Sequence, residues 1–138
     1  NQLATFAHIG LFDTDIGEAG DYGRFPPLDE TASSVTARAR AYLDVNCSSC
    51  HQPGGTAPTD LDLRAATPAE AMNAVDVVPS AGDLGIAGAR IIASGDRQAS
   101  VLWQRLRRTD EERMPPLSTH VIDEAGVRLI GDWIDGGP

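Results

Sequence analysis

The chain has no lysine. All 11 of its bases are arginine, set against 20 acidic residues, and the formal net charge is −9. So acidic a surface excludes nucleic acid as a partner, because phosphate binding needs a basic footprint. It equally disfavours docking on an anionic membrane. Aromatic side chains make up only 5% of the 138 residues, a thin supply for closing a core. No apolar run is long enough to cross a bilayer, so no membrane span is expected. Internal repeats are absent. Cysteine is confined to Cys47 and Cys50, and histidine to His8, His51 and His120. A zinc site would need a second Cys or His pair at similar spacing, which is missing. No signal peptide and no initiator methionine are visible, so the expectation is that a leader lies outside this sequence. The length corresponds to one domain with a modest core.

What is present is concentrated in five residues, Cys47-Ser48-Ser49-Cys50-His51. Two residues between the cysteines let one turn present both sulfurs to the same edge of a flat ligand. The histidine is then carried beneath that ligand. The run reads as a c-type haem attachment site, with both thiols added to the haem vinyl groups and His51 facing the iron. A redox Cys-x-x-Cys would sit near a βαβ pattern with a lowered thiol pKa, and no such pattern surrounds it. One run implies one haem. With both thiols in thioether links, no thiol remains for a disulfide.

Met114 is the candidate sixth ligand. It stands in Arg113-Met114-Pro115-Pro116, where two prolines fix backbone dihedrals and stiffen the loop. Axial His51 and Met114 would raise the reduction potential relative to two histidines and fill the iron site. His120 is the alternative ligand close by. Met72 is expected to fill the core, and His8 belongs to the N-terminal segment. The proton on His51 Nδ1 needs an acceptor, and the Pro58 carbonyl is the expected one. Arg90, Arg97, Arg105 and Arg113 are candidates to meet the haem propionates. Trp103 is a haem-edge contact or a core residue.

Residues 1–12 carry a short amphipathic pattern, and residues 13–30 are rich in Asp, Gly and Pro. Residues 1–32 therefore read as an extension or linker wrapped on a haem domain of residues 33–138. A helix is expected from Ser33 to Val45, with Val35, Ala39, Tyr42 and Leu43 on one face. Thr67-Pro68-Ala69-Glu70 reads as a capping box that opens a helix to Ala74. Residues 75–96 read as loop with a short hairpin. Ser100 should cap a helix to Arg108 with Leu102 and Leu106 inward. Asp123 should cap the last helix, whose apolar stripe is Ala125, Leu129, Ile130, Trp133 and Ile134, ending at Gly136 and Gly137.

Over residues 33–135 these features resemble class I c-type cytochromes: a helix, Cys47 to His51, a Gly-Pro turn near Pro58, a short helix, a methionine loop and a C-terminal helix. The resemblance implies an all-α cytochrome c fold of four to five short helices around one covalent haem. In that family the first and last helices cross near-perpendicularly, in roles that Ala39, Tyr42, Leu129 and Trp133 match. Tyr42 to Asn46, His51 to Gly55 and Arg113 to Leu117 are similar to monohaem domains at the C-terminal end of larger bacterial secreted proteins. The implied function is one-electron transfer. The implied partners are a dehydrogenase, another cytochrome, an oxidase or a secreted copper monooxygenase, and the implied location is periplasmic or secreted. The chain is then an electron-transfer module rather than an enzyme, monomeric by itself. The alternative is a haem enzyme or gas sensor whose sixth ligand is displaced.

Overall fold

Ser34 opens the helix that delivers the cysteines. Its side chain accepts the Ala37 amide at 3.1 Å, the local bond that favours serine at a helix start. In the computed structural model, which describes residues 1–117 and 120–138, helices occupy Gln2–His8 (α1), Val35–Cys47 (α2), Val101–Leu106 (α3) and Glu124–Gly136 (α4). Single 3-10 turns add Ala19–Asp21 and Ala69–Ala71. Among the described residues the chain is helical, with four α-helices and no strand. None of these helices is long and apolar enough to cross a membrane.

α4 packs against α2 and, less extensively, against α3. Asp123 caps α4 by accepting the Gly126 amide at 3.0 Å, as its sequence predicts. Leu129, Ile130, Trp133 and Ile134 are buried, also as predicted. Ala125 is exposed, and Gly126 and Val127 take the inward place instead. Close approach explains Gly126: a Cβ there would overlap the Tyr42 ring of α2. Gly126→Ala should therefore cost about 1–3 kcal/mol, the usual penalty of overpacking. Chemical denaturation would measure it, and an unchanged midpoint would mean that Tyr42 yields freely.

Several expected elements are shorter or different. α2 starts two residues late and runs into the motif, ending at Cys47. Its Val35 is exposed, while Arg40 and Ala41 are buried beside Ala39 and Leu43. The capping box does not form. Pro68 precedes a single 3-10 turn with no side-chain cap. Arg40 takes the Thr67 carbonyl that a longer helix would have used, the Thr67 side chain bonds Asp62, and Asn73 turns left-handed at φ 53°. The 75–96 segment forms no hairpin. Its bridges are isolated and parallel, Val75 with Ile92 and Arg90 with Ser100. Ser100 does not cap α3, because its hydroxyl accepts the Ala93 amide and donates to Asp96. α3 stops at Leu106, where the Arg107 amide turns to the Gln104 carbonyl and the Met114 amide takes the Arg105 carbonyl. Leu106 faces inward as expected and Leu102 is half-buried, while Val101 and Trp103 are also buried.

α1 buries no residue. Residues up to Tyr22 are held largely by their own contacts, such as Phe6 edge-on to Phe12 and the Tyr22 hydroxyl donating to Ile16. The first firm attachment to the core is Leu28, whose carbonyl accepts from Arg38 of α2.

Candidate functional site

The end of α2 shapes the motif. The Cys47 carbonyl accepts both the Cys50 amide at 3.1 Å and the His51 amide at 2.9 Å. One tight turn thus groups Cys47, Cys50 and His51. The chain then doubles back. The Ala57 amide donates to Cys50 and the Leu63 amide to His51. A Cβ on Gly55 would strike the Cys50 carbonyl, so this return needs glycine at that position. Small residues and prolines from 52 to 58 are what permit it.

A cavity of about 410 Å³ opens beside this turn. Cys47, Cys50 and His51 line it, and so does Met114 from the far end of the sequence. Leu61, Leu63, Ile91, Val101, Leu102 and Leu106 supply an apolar wall. The volume falls within the range of cofactor pockets, roughly 300–1,000 Å³. Cys50 is exposed and Cys47 partly buried.

Burial shifts two side chains of the turn, Cys47 and His51. Desolvation, then the neighbouring Cys50, pushes the Cys47 thiol up to about 12. That is the reverse of a redox-active dithiol, which needs a lowered thiol pKa. Burial lowers the His51 pKa, so the ring is neutral at neutral pH and has a lone pair to give. Its Nδ1 lies 3.1 Å from the Thr59 hydroxyl. Thr59, not the expected Pro58 carbonyl, is therefore the partner behind the ring. Pro58 lies outside the cavity, on the small-residue loop from Gln52 to Asp60. The reading by sequence was one residue off, and the Gly-Pro turn was the signal that located it. Among the described residues no three His, Cys, Asp or Glu side chains converge as a metal site would require.

Met114 is fixed through its backbone. Its amide donates to the Arg105 carbonyl at 3.1 Å, and the Met114–Pro115 peptide is cis. Arg113 is outside the cavity lining and braces the loop, donating to the Asp110 carbonyl at 2.9 Å and the Pro116 carbonyl at 2.8 Å. His120 is exposed and outside the lining, and Ser118 and Thr119 are not among the described residues. Met72 is fully buried, as a core filler should be.

The remaining candidates divide clearly. Of the four arginines proposed for the propionates, Arg105 alone lines the cavity. Arg97 is committed to Asp132 and Asp135 of α4, at 2.9 and 2.6 Å. Arg90 donates to the Gly88 and Ala89 carbonyls. Trp103 is a core residue and not a cavity contact. Its indole donates to the Val127 carbonyl at 2.9 Å, and the guanidiniums of Arg97 and Arg107 lie over its ring. Sequence reasoning missed Thr59, Leu61, Leu63 and Ile91, which lie in segments without helical or strand periodicity. No protein-family model, curated protein or solved structure matches this chain.

Proposed function

We propose that the chain is a class I c-type cytochrome domain that carries single electrons on one covalently bound haem. The observation that carries this reading is the meeting of Cys47, Cys50, His51 and Met114 in one apolar cavity. The donor set fits the group. Each thiol can add its S–H across a vinyl double bond, forming a C–S and a C–H bond with no oxidant. His51, its pKa lowered by burial, would offer a nitrogen lone pair to the iron, and Met114 would offer a soft thioether. The haem would supply the ferric/ferrous couple, taking one electron from a donor and passing one to an acceptor. The protein's residues orient the ligands, exclude water and set the potential.

Thr59 has a defined part in this scheme. Were Nε2 to hold the iron, His51 Nδ1 would carry the proton and donate it to Thr59 Oγ1. That bond raises ligand basicity and fixes the ring. Thr59→Val should make His51 a poorer donor and raise the reduction potential. Protein-film voltammetry would read the shift, and a fall in potential would contradict this role.

The reading is tested directly by the mass of the denatured polypeptide after expression with a cytochrome c maturation system. An increase of one haem on the intact chain is expected, and its loss with Cys47→Ser/Cys50→Ser. A polypeptide of unmodified mass ends the reading. Prompt carbon monoxide binding by the ferrous protein would instead favour a sensor or enzyme with an open sixth site. Such chemistry belongs to a periplasmic or secreted setting. The partner would be a dehydrogenase, another cytochrome, an oxidase or a secreted copper monooxygenase, met through a small transient contact. Cys50 and Leu117 are exposed on the cavity lining, where such a contact would form.

A further inference from the structure

We propose that Arg105 is a positioning residue, a latch that holds the Met114 loop closed over the cavity; the inference rests on the haem reading above. Three stretches of chain meet at this side chain. Nη2 donates to the Ala81 carbonyl at 3.0 Å, and Nη1 donates to the Glu112 carbonyl at 2.9 Å. Nη1 also pairs with the Glu112 carboxylate at 2.6 Å. The residue's own carbonyl accepts the Met114 amide at 3.1 Å. Ala81, Arg105, Glu112 and Met114 all line the cavity.

The base of the latch is rigid. Arg105 stands on α3, which is sunk into the core by Val101, Trp103 and Leu106. Its side chain is only 13% exposed while the Glu112 carboxylate is 52% exposed, so the main-chain carbonyl bonds carry more of the hold than the ion pair does. Both terminal nitrogens are committed to protein oxygens, and the Glu112 carboxylate matches the charge. A planar fork can span two carbonyls in this way, whereas a lysine point charge cannot. With the loop backbone held at Glu112 and Met114, the thioether's reach is limited to its own side-chain rotations. The guanidinium thus acts on the methionine through the backbone and not as a partner for a propionate.

The experiment titrates the ferric holoprotein with imidazole, which competes with Met114 for the iron. Arg105→Ala should bind imidazole about tenfold more tightly than the wild type, the effect of losing a charge-assisted bond. Glu112→Gln keeps the main-chain carbonyl and should give a smaller gain, and Arg105→Lys should fall between wild type and Arg105→Ala. Met114→Ala sets the upper limit. Equal imidazole affinity in the wild type, Arg105→Lys and Glu112→Gln overturns the latch and leaves the haem reading standing, even if Arg105→Ala does not fold. A changed reduction potential with unchanged imidazole affinity makes Arg105 a propionate partner and also overturns it. A wild-type chain without covalent haem overturns both.

Discussion

Met114→Ala is expected to abolish the methionine-to-iron charge-transfer band of the ferric protein and to lower its reduction potential by on the order of 0.1 V. That is a modest share of the roughly 0.8 V that axial ligands command. The direction follows from the thioether, which favours ferrous iron more than water or a nitrogen donor does. The protein should fold, because Met114 is only partly buried and its loop is held by backbone bonds to Arg105 and by the span of Arg113. The vacated position should bind carbon monoxide promptly in the ferrous state. Optical titration and voltammetry of the variant check each part. If the band persists, Met72, the other methionine, holds the iron; if the wild type shows no such band, His120 becomes the first residue to replace.

The largest loss of stability is expected from Arg40→Ala, about 3–5 kcal/mol. Arg40 is a buried cation on α2 that donates to the Arg64 and Thr67 carbonyls and to the Met72 sulfur. Burial lowers its pKa, and the nearby Asp62 and Asp44 oppose that effect, so the charge is retained. Removing it leaves two part-buried carbonyls without their donor. Those carbonyls belong to the loop that carries Thr59, Leu61 and Leu63 to the cavity. The melting temperature should fall by on the order of 10 °C. Arg40→Lys should recover part of it, since a point-like ammonium lacks the spread of the planar fork that reaches these acceptors from two nitrogens. Calorimetry of the three proteins tests this, and near-equal melting temperatures would show that the loop needs no tether.

The two helices that hold the core were legible because their signals are local. Ser34 and Asp123 cap them through side-chain bonds a few residues away, and the spacing of Leu129, Ile130, Trp133 and Ile134 follows the helical period. The motif was legible for the same reason. What misled was competition from distant partners. The Thr67 carbonyl goes to Arg40, and the Ser100 hydroxyl goes to Ala93 and Asp96, so neither element forms as its local sequence proposes. Ile91 and Ile92 lie in a segment without periodicity, and long-range backbone bonds to Ala74, Val77 and Leu102 place them. Likewise neighbourhood in sequence allows Trp103 either the haem edge or the core and offers Arg113 to the cofactor. Trp103 turned into the core beneath α4, and Arg113 turned onto its own loop.

The contact behind His51 has a consequence for how the site waits. A carbonyl can only accept, so it would leave one ring tautomer facing a repelling lone pair. The Thr59 hydroxyl rotates, and it can accept a proton from Nδ1 or give one to it. The unloaded ring is then satisfied in either form. A metal taking the other nitrogen would select the tautomer, and the hydroxyl would follow with a turn about one bond. The same small side chain can serve as an adaptable placeholder before maturation and as a fixed anchor after it.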